Sequence, residues 1–157
     1  VVHGGQHFAL VLGDPASHPG ASVVRVQHEA LVGDVFRGTA CDCGWQVHGS
    51  MQAIAEAGVG VLVYLQSHEF TRVDALKRFV LSPEDAAALD PYTARPPDIN
   101  RPRPAFRDFG IGAQILVDCG VKQMRVLMES RRTLAGLDAF GLEVVDAIDI
   151  PKPAYRR

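Results

Sequence analysis

Two cysteines separated by one residue are the first feature of this sequence that could do chemistry. Cys41 and Cys43 lie in the stretch ACDCGWQ, and two thiolates at this spacing can converge on one metal ion. Zinc sites take three or four cysteine, histidine or carboxylate donors, so two sulfurs alone do not complete a site. His28, Glu29 and His48 are further candidate donors in the neighbouring sequence. The alternative is that both cysteines are small core residues, and that His48 is a solvated side chain.

Four arginines form a second set with a possible common role. Arg25 ends a predicted strand and Arg107 precedes the stretch DFGIG, while Arg131 and Arg132 follow a predicted strand and lead into a predicted helix. Guanidinium groups at strand ends near a helix N-terminus suit phosphate, because they donate paired hydrogen bonds and the helix dipole favours an anion. The alternative for each arginine is solvated surface charge.

Composition limits the classes of protein to be considered. The 157 residues are 47% hydrophobic and 22% charged, which is ordinary for one soluble globular domain. A net charge of −2 argues against a nucleic-acid binder, which needs a basic excess to displace counterions. No apolar run reaches membrane-spanning length, so no membrane partner is expected. The three cysteines, an odd number, do not suggest a disulfide framework and favour a reducing cytoplasm.

The pattern of apolar and turn residues predicts the elements that must position these side chains. The predicted strands are Gln6–Gly13, Ser22–Val26, Val59–Leu65, Met124–Met128 and Leu142–Ile150. The predicted helices are Gln46–Ala57, Val73–Leu81, Ile111–Cys119 and Leu134–Phe140. The proline-rich segment Asp90–Pro104 is predicted to lack regular structure.

This order of elements predicts a mixed α/β fold. Strands alternating with helices favour a partly parallel sheet flanked by helices, and the first strands favour an N-terminal antiparallel section. The continuous apolar run Val59–Leu65 is typical of a strand buried on both faces. Cys119 shares an apolar helix stripe with Ile115 and Leu116 and is interpreted as a core residue. No internal repeat is visible, so residues 1–157 are predicted to form a single domain.

Six stretches of the sequence carry a family resemblance. They are FALVLGD, VVRVQHEALVGD, CDCGWQ, AIAEAGVGVLVYL, RDFGIGAQILVDCGVKQMRVL and AGLDAFGLEVV. In this order, and over nearly the whole chain, they resemble the GTP cyclohydrolase II family, the enzymes that open the imidazole ring of GTP in riboflavin biosynthesis. The resemblance implies the fold of that family and a homodimer.

The resemblance also implies a chemistry. In that family, zinc bound by three cysteines activates water for attack on C8 of the purine, and the ring carbon leaves as formate. An arginine attacks or orients the α-phosphate, while carboxylates and a tyrosine manage the protons. Carried over to this sequence, Cys41 and Cys43 match two of the three zinc ligands, and Arg107 matches the arginine.

The sequence departs from the family pattern at the metal and proton-transfer positions. Ala30 stands where the family has its third zinc-binding cysteine, and Ala40 replaces an arginine. A third zinc donor would therefore have to come from elsewhere, and His28 and His68 are the candidates. Phe79 replaces the catalytic tyrosine, and Ala105 replaces the aspartate two residues before Arg107.

The nucleotide-binding elements differ as well. The family element QEGRGIG, which grips the triphosphate and metal, is SHEFTRV here, and Glu69 and Arg72 are its plausible survivors. The family element TNNPxK is MESRRT, with Met128 at the threonine position and Thr133 near the lysine position. A substrate smaller or less charged than GTP is the expectation that follows.

A retained scaffold with lost donors predicts a divergent family member. We expect a cyclohydrolase-like hydrolase acting on a C–N bond of a heterocyclic or nucleotide-like small molecule, and not ordinary GTP ring opening. The candidate residues are Arg107 and Glu69 for catalysis, Arg25, Glu29 and Arg132 for substrate binding, and Cys41, Cys43 and His28 for zinc. The alternative is a non-catalytic nucleotide-binding regulator, or a partner subunit that keeps the scaffold only.

Overall fold

The structure, a computed structural model, describes residues 6–36, 43–66, 105–128 and 137–152. Its strands are β1 (Phe8–Leu12), β2 (Ser22–His28), β3 (Gly60–Leu65), β4 (Gln123–Met128) and β5 (Glu143–Asp149). Its helices are α1 (Leu31–Asp34), α2 (Cys43–Ala57) and α3 (Ala105–Asp118), and a single 3₁₀ turn covers Asp138–Phe140.

These strands form one sheet in the order β1-β3-β2-β4-β5. Strands β3, β2, β4 and β5 run parallel, and β1 pairs antiparallel with β3. The predicted mixed, partly parallel sheet with an N-terminal antiparallel section is therefore confirmed. The antiparallel partner of β1 is β3 because both edges of β2 are occupied by the parallel strands β3 and β4.

Alternation of side chains along the strands separates two apolar clusters, one on each face of the sheet. Helix α2 covers the smaller cluster, and α3 covers the larger. The smaller cluster consists of Val23, Ile54, Leu62, Leu127 and Ile150. The larger consists of Val24, Val61, Val63, Leu65, Ala113, Leu116, Val121, Met124, Val126, Leu137 and Leu142. A sheet with a helix on each face is what the continuous apolar run of β3 requires.

Close backbone approaches hold the two helices against the sheet. A Cβ added to Gly112 of α3 would lie 3.2 Å from Val26 Cγ1 of β2, so glycine allows α3 to pack tightly there. On the other face, the segment after β5 crosses α2: a Cβ on Gly49 would meet the carbonyl of Pro151. Within the described ranges, no helix combines the length and the apolar character needed to cross a membrane.

Helix and strand boundaries differ from the predicted ones at the polar ends. Helix α2 begins at Cys43 and not at Gln46, and α3 begins at Ala105 and not at Ile111. Strand β2 continues through Gln27 and His28, because both residues still pair with β3. Of the predicted helix Leu134–Phe140, the described part is the 3₁₀ turn. The predicted helix Val73–Leu81 and loop Asp90–Pro104 lie outside the described residues.

The first prediction concerns the smaller cluster. Leu62 of β3 is 1% exposed, and its register partner Leu10 of β1 is 53% exposed. Truncation of Leu62 to alanine leaves a cavity between the sheet and α2, so we expect Leu62→Ala to lower the free energy of unfolding by about 2–5 kcal/mol. Leu10→Ala should cost less than about 1 kcal/mol. Urea denaturation measures both, and equal losses would contradict the described core.

Candidate functional site

The carboxyl edge of the parallel strands is the candidate site. Strands β2, β3 and β4 end there at His28, Leu65 and Met128. The chain passes from β2 through α2 to β3 on one side, and from β3 through α3 to β4 on the other. Strand β2 is therefore the point where the chain changes direction across the sheet. Ligands of open parallel sheets bind at the carboxyl edge beside such a point.

Arg25 is held at this edge by acceptors of the protein itself. Its guanidinium donates to Gln27 Oε1 from Nε at 3.1 Å and from Nη2 at 2.7 Å. The same Nη2 lies 3.1 Å from Gln46 Oε1, and Nη1 lies 3.1 Å from the carbonyl oxygen of Leu127. Both glutamines are buried. One half-buried cation thus connects β2, α2 and β4.

A carboxylate–phenol pair lies beside this network. Asp34, the last residue of α1, accepts a hydrogen bond at Oδ2 from Tyr64 Oη of β3, at 2.6 Å. The same oxygen accepts the backbone N–H of Ala30 at 2.9 Å. The other oxygen, Oδ1, is buried and has no hydrogen-bond partner among the described residues. Through its Oδ2 alone, Asp34 links α1 both to Tyr64 of β3 and to the backbone just beyond the end of β2.

Burial sets the electrostatics of this pair. It raises the pKa of the Asp34 carboxyl, against the opposing effects of hydrogen bonds from Tyr64 and Ala30 and of the charges on Arg25 and His48. Burial also raises the pKa of Tyr64, and the hydrogen bond to Asp34 and the negative charges of Asp34 and Glu29 act in the same direction. Tyr64 consequently keeps its proton at neutral pH and remains the donor.

Among the residues predicted to bind substrate, Arg25 and Glu29 lie at the carboxyl edge. The backbone N–H of Glu29 donates to the carbonyl of Leu65 at 2.8 Å, which fixes the chain just beyond β2. The N–H groups of Arg25 described above donate hydrogen bonds to acceptors of the protein itself. The structure thus brings both residues to the site, and their contact with a substrate stays a prediction.

Arg107, predicted to be catalytic, lies in the first turn of α3. Gly112, five residues further along the helix, packs beside Val26 and Leu65 near the ends of β2 and β3. Because α3 returns the chain toward the start of β4, its first turn lies at the carboxyl edge. The helix N-terminus there favours an anionic group. The backbone position of Arg107 suits the proposed site.

The described residues do not fit zinc by themselves. No group of three histidine, cysteine, aspartate or glutamate side chains in the described ranges could hold a metal ion. Ala30 has no donor atom, and Cys43 is disulfide-bonded, so its sulfur would have to be reduced before it could bind zinc. Strand alternation also directs His28 toward the face covered by α3, whereas α2, which begins at Cys43, covers the opposite face.

The remaining predicted site residues lie outside the described residues. These are Cys41, Glu69 and Arg132, together with the alternative zinc donor His68. The interpretation of Cys119 as a core residue is confirmed, because it packs against the larger cluster. Burial and the charge of Asp118 raise the pKa of its thiol.

Four site residues were missed in the sequence analysis: Gln27, Gln46, Asp34 and Tyr64. Two of them had a weak signal. Gln27 is polar at the end of an apolar strand, and Tyr64 has the one polar group in the apolar run VGVLVYL. Amide and phenol groups in such places must find buried partners. The identity of those partners depends on the crossover connections, which the sequence does not specify directly.

The fold and site together define a class: an α/β domain with a polar site at the carboxyl edge of its parallel strands. A comparison with protein families makes this more specific, since the GTP cyclohydrolase II family model matches residues 1–149. The chain belongs to the GTP cyclohydrolase II family.

Curated relatives agree with this placement. The riboflavin biosynthesis protein RibBA of Mycobacteroides abscessus is 38% identical over 150 residues, which is 93% of this chain and 35% of that protein. The RibBA protein of Bacillus velezensis is 36% identical over 157 residues, covering 98% of this chain and 38% of the relative. The chain therefore spans little more than a third of the length of these relatives.

The second prediction concerns Asp34. Its pKa is raised above the ordinary value of 3.8, so the folded state binds a proton more tightly than the unfolded chain. The contribution of this group to stability is then complete below pH 3.8 and is lost as the pH rises through the folded-state pKa. Relative to Asp34→Asn, the natural chain should lose stability over that window. Chemical denaturation of both proteins at a series of pH values measures their free energies of unfolding. If the free energy of unfolding of the natural chain rises relative to that of Asp34→Asn as the pH increases, the raised pKa is contradicted.

Proposed function

We propose that this chain is a divergent GTP cyclohydrolase II-like hydrolase that acts on a C–N bond of a heterocyclic or nucleotide-like substrate, and not on GTP in the ordinary ring-opening reaction. The observation that carries the proposal is the polar site at the carboxyl edge. There the Arg25 guanidinium is satisfied by two buried glutamines and a main-chain carbonyl.

A cation and two amides withdrawn from water destabilise a fold unless each finds a partner with good geometry. In this chain they do find partners, on the face of the sheet that α2 covers. Glu29 follows β2 at the same edge, and Arg107 lies in the first turn of α3, on the opposite face. The site is therefore a built polar surface at the place where a parallel sheet binds ligands, which supports a ligand-binding role.

The departures from the family pattern support an altered reaction. Ala30 offers no donor where the family pattern has a cysteine, and Ala105 offers no carboxyl group near Arg107. Glu69 as a second catalytic residue, and Arg132 as a further phosphate-binding residue, remain part of the proposal. Zinc held by Cys41, Cys43 and His28 also stays a prediction, and no reaction step is derived through it.

The assembly and location of the protein are proposed on similar grounds. A homodimer is expected from the family resemblance. A cytoplasmic location is expected from the odd number of cysteines, and reduced Cys43 is the form in which a metal could be bound. A small-molecule or nucleotide ligand is the expected partner, and neither nucleic acid nor a membrane is.

The third prediction tests the altered reaction. We expect formate release from GTP to be slower than in a variant that regains the family's groups, Ala30→Cys/Ala105→Asp, because a missing proton-transfer group costs about 10²–10⁴ in rate. A formate assay under reducing conditions with added zinc compares the two proteins. Purine nucleosides and smaller cyclic amidines are tested as further ligands of the natural chain, and their binding is detected as a rise in its melting temperature.

Two results would contradict the proposal. Formate release from GTP by the natural chain at the rate of the double variant would show ordinary GTP ring opening. Conversely, no stabilisation by any nucleotide or heterocycle, and no turnover, would favour the alternative of a partner subunit that keeps the scaffold only.

The fourth prediction tests the metal donors. Ala30→Cys should bind zinc at least about 100-fold more tightly than the natural chain, because loss even of a group that only orients a ligand costs 10–100-fold. Zinc affinity of the reduced proteins is measured by competition with a chromophoric chelator. Ala147→Cys, at a half-buried position on β5, is the matched control.

Equal zinc affinity of the natural chain and Ala30→Cys would show that another side chain already completes the site. In that case His28→Ala decides whether His28 is the donor, since loss of zinc in that variant would confirm the predicted ligand.

A further inference from the structure

The end of β2 is held in place by one carboxylate. Oδ2 of Asp34 lies 2.9 Å from the N–H of Ala30 and 2.6 Å from Oη of Tyr64. The neighbouring N–H of Glu29 is fixed independently, by the carbonyl of Leu65 at 2.8 Å. The segment that leaves the candidate site is thus tied to β3 at two successive residues, once through the backbone and once through the Asp34–Tyr64 pair.

We infer that Asp34, acting through Tyr64, is a positioning residue that holds Ala30, the residue after Glu29, at the carboxyl edge against the first turn of α2. The inference rests on the proposed function in one respect, namely that a ligand binds at this edge. Asp34 itself is not assigned a contact with the ligand.

Tyr64 gives the pair a rigid base. Its ring packs against the smaller apolar cluster, together with Trp45 and Val47 of α2. A packed aromatic ring has few rotamers, so its hydroxyl occupies a defined point at the edge of the sheet. The short hydrogen bond from this hydroxyl to Asp34 fixes the end of α1 relative to β3, because charge-assisted bonds of this length are strong and directional.

Helix α1 could not hold this position without the pair. It comprises four residues, too few to form an independent helix in water. Its Gly33 packs directly against Gly44 of α2, where a Cβ would meet the Gly33 carbonyl. Val35 and Phe36, which follow α1, are 62% and 67% exposed and bury little surface. The Asp34 contacts and the glycine contact are therefore the described constraints on the position of α1.

The second oxygen of Asp34 favours a positioning role over a stabilising one. Within the part of the chain that the structure describes, Oδ1 is buried without a hydrogen-bond partner, which opposes folding. A residue selected for stability alone would be better replaced by an amide or an apolar side chain at this location. A partly buried carboxylate beside the Arg25 guanidinium, with its pKa raised by burial, is typical of residues that serve a site.

The test uses Tyr64→Phe and Asp34→Asn in the whole chain, with Asp118→Asn, at the exposed C-terminal end of α3, as the charge-matched control. Two quantities are measured by NMR: hydrogen exchange of the Glu29 and Ala30 amides, and the dissociation constant of GTP as the probe. In both site variants, we expect Ala30 to exchange about tenfold faster or more, and GTP to bind about tenfold more weakly. The control should change neither quantity.

The double variant Asp34→Asn/Tyr64→Phe separates positioning from general destabilisation. If the two residues act as one unit, it should weaken GTP binding no more than either single variant does. Additive losses would overturn the inference, and so would faster Ala30 exchange with unchanged GTP affinity. If GTP does not bind the natural chain, the proposed function is not contradicted, because it expects a substrate smaller or less charged than GTP. Ala30 exchange then decides alone, and unchanged exchange in Tyr64→Phe overturns the positioning role.

Discussion

The Arg25 guanidinium and its three acceptor groups constrain the arrangement of the site more than any other interaction described. A half-buried cation on β2 must be satisfied by fixed acceptors, and the chain supplies Gln27 beside it, Gln46 from α2 and the Leu127 carbonyl from β4. These three acceptors come from separate segments of the sequence. Helix α2 and strand β4 can therefore not shift relative to β2 without breaking hydrogen bonds to this guanidinium.

The remainder of the site follows from that placement. With α2 fixed, the contact between Gly33 and Gly44 positions α1, and Asp34 then reaches Tyr64 and the Ala30 amide. These polar contacts fix the backbone of Ala30, a residue without a donor atom for a metal, beside Tyr64 of β3.

The sequence was a good guide to the fold and a weaker guide to the site. Apolar periodicity located β3 and most of α2 and α3, because these elements bury continuous apolar faces. The N-terminal ends of α2 and α3 were predicted three and six residues late. The residues Cys43–Trp45 show no regular apolar spacing, whereas Phe106 and Phe109 continue the helical spacing of Ala113 and Leu116 and were a missed signal for the start of α3. The partners of Gln27 and Tyr64 could not be predicted, because they lie on segments brought together only by the parallel crossovers.

The central claim is that the polar surface at the carboxyl edge binds a heterocyclic or nucleotide-like ligand. The most direct measurement follows the side-chain amide resonances of Gln27 and Gln46 by NMR during titration with purine nucleotides and cyclic amidines. The account predicts that at least one compound shifts both resonances in a saturable way, because both amides contact Arg25 at the site. Saturable binding that leaves both resonances unchanged, or no binding across the series, would contradict it.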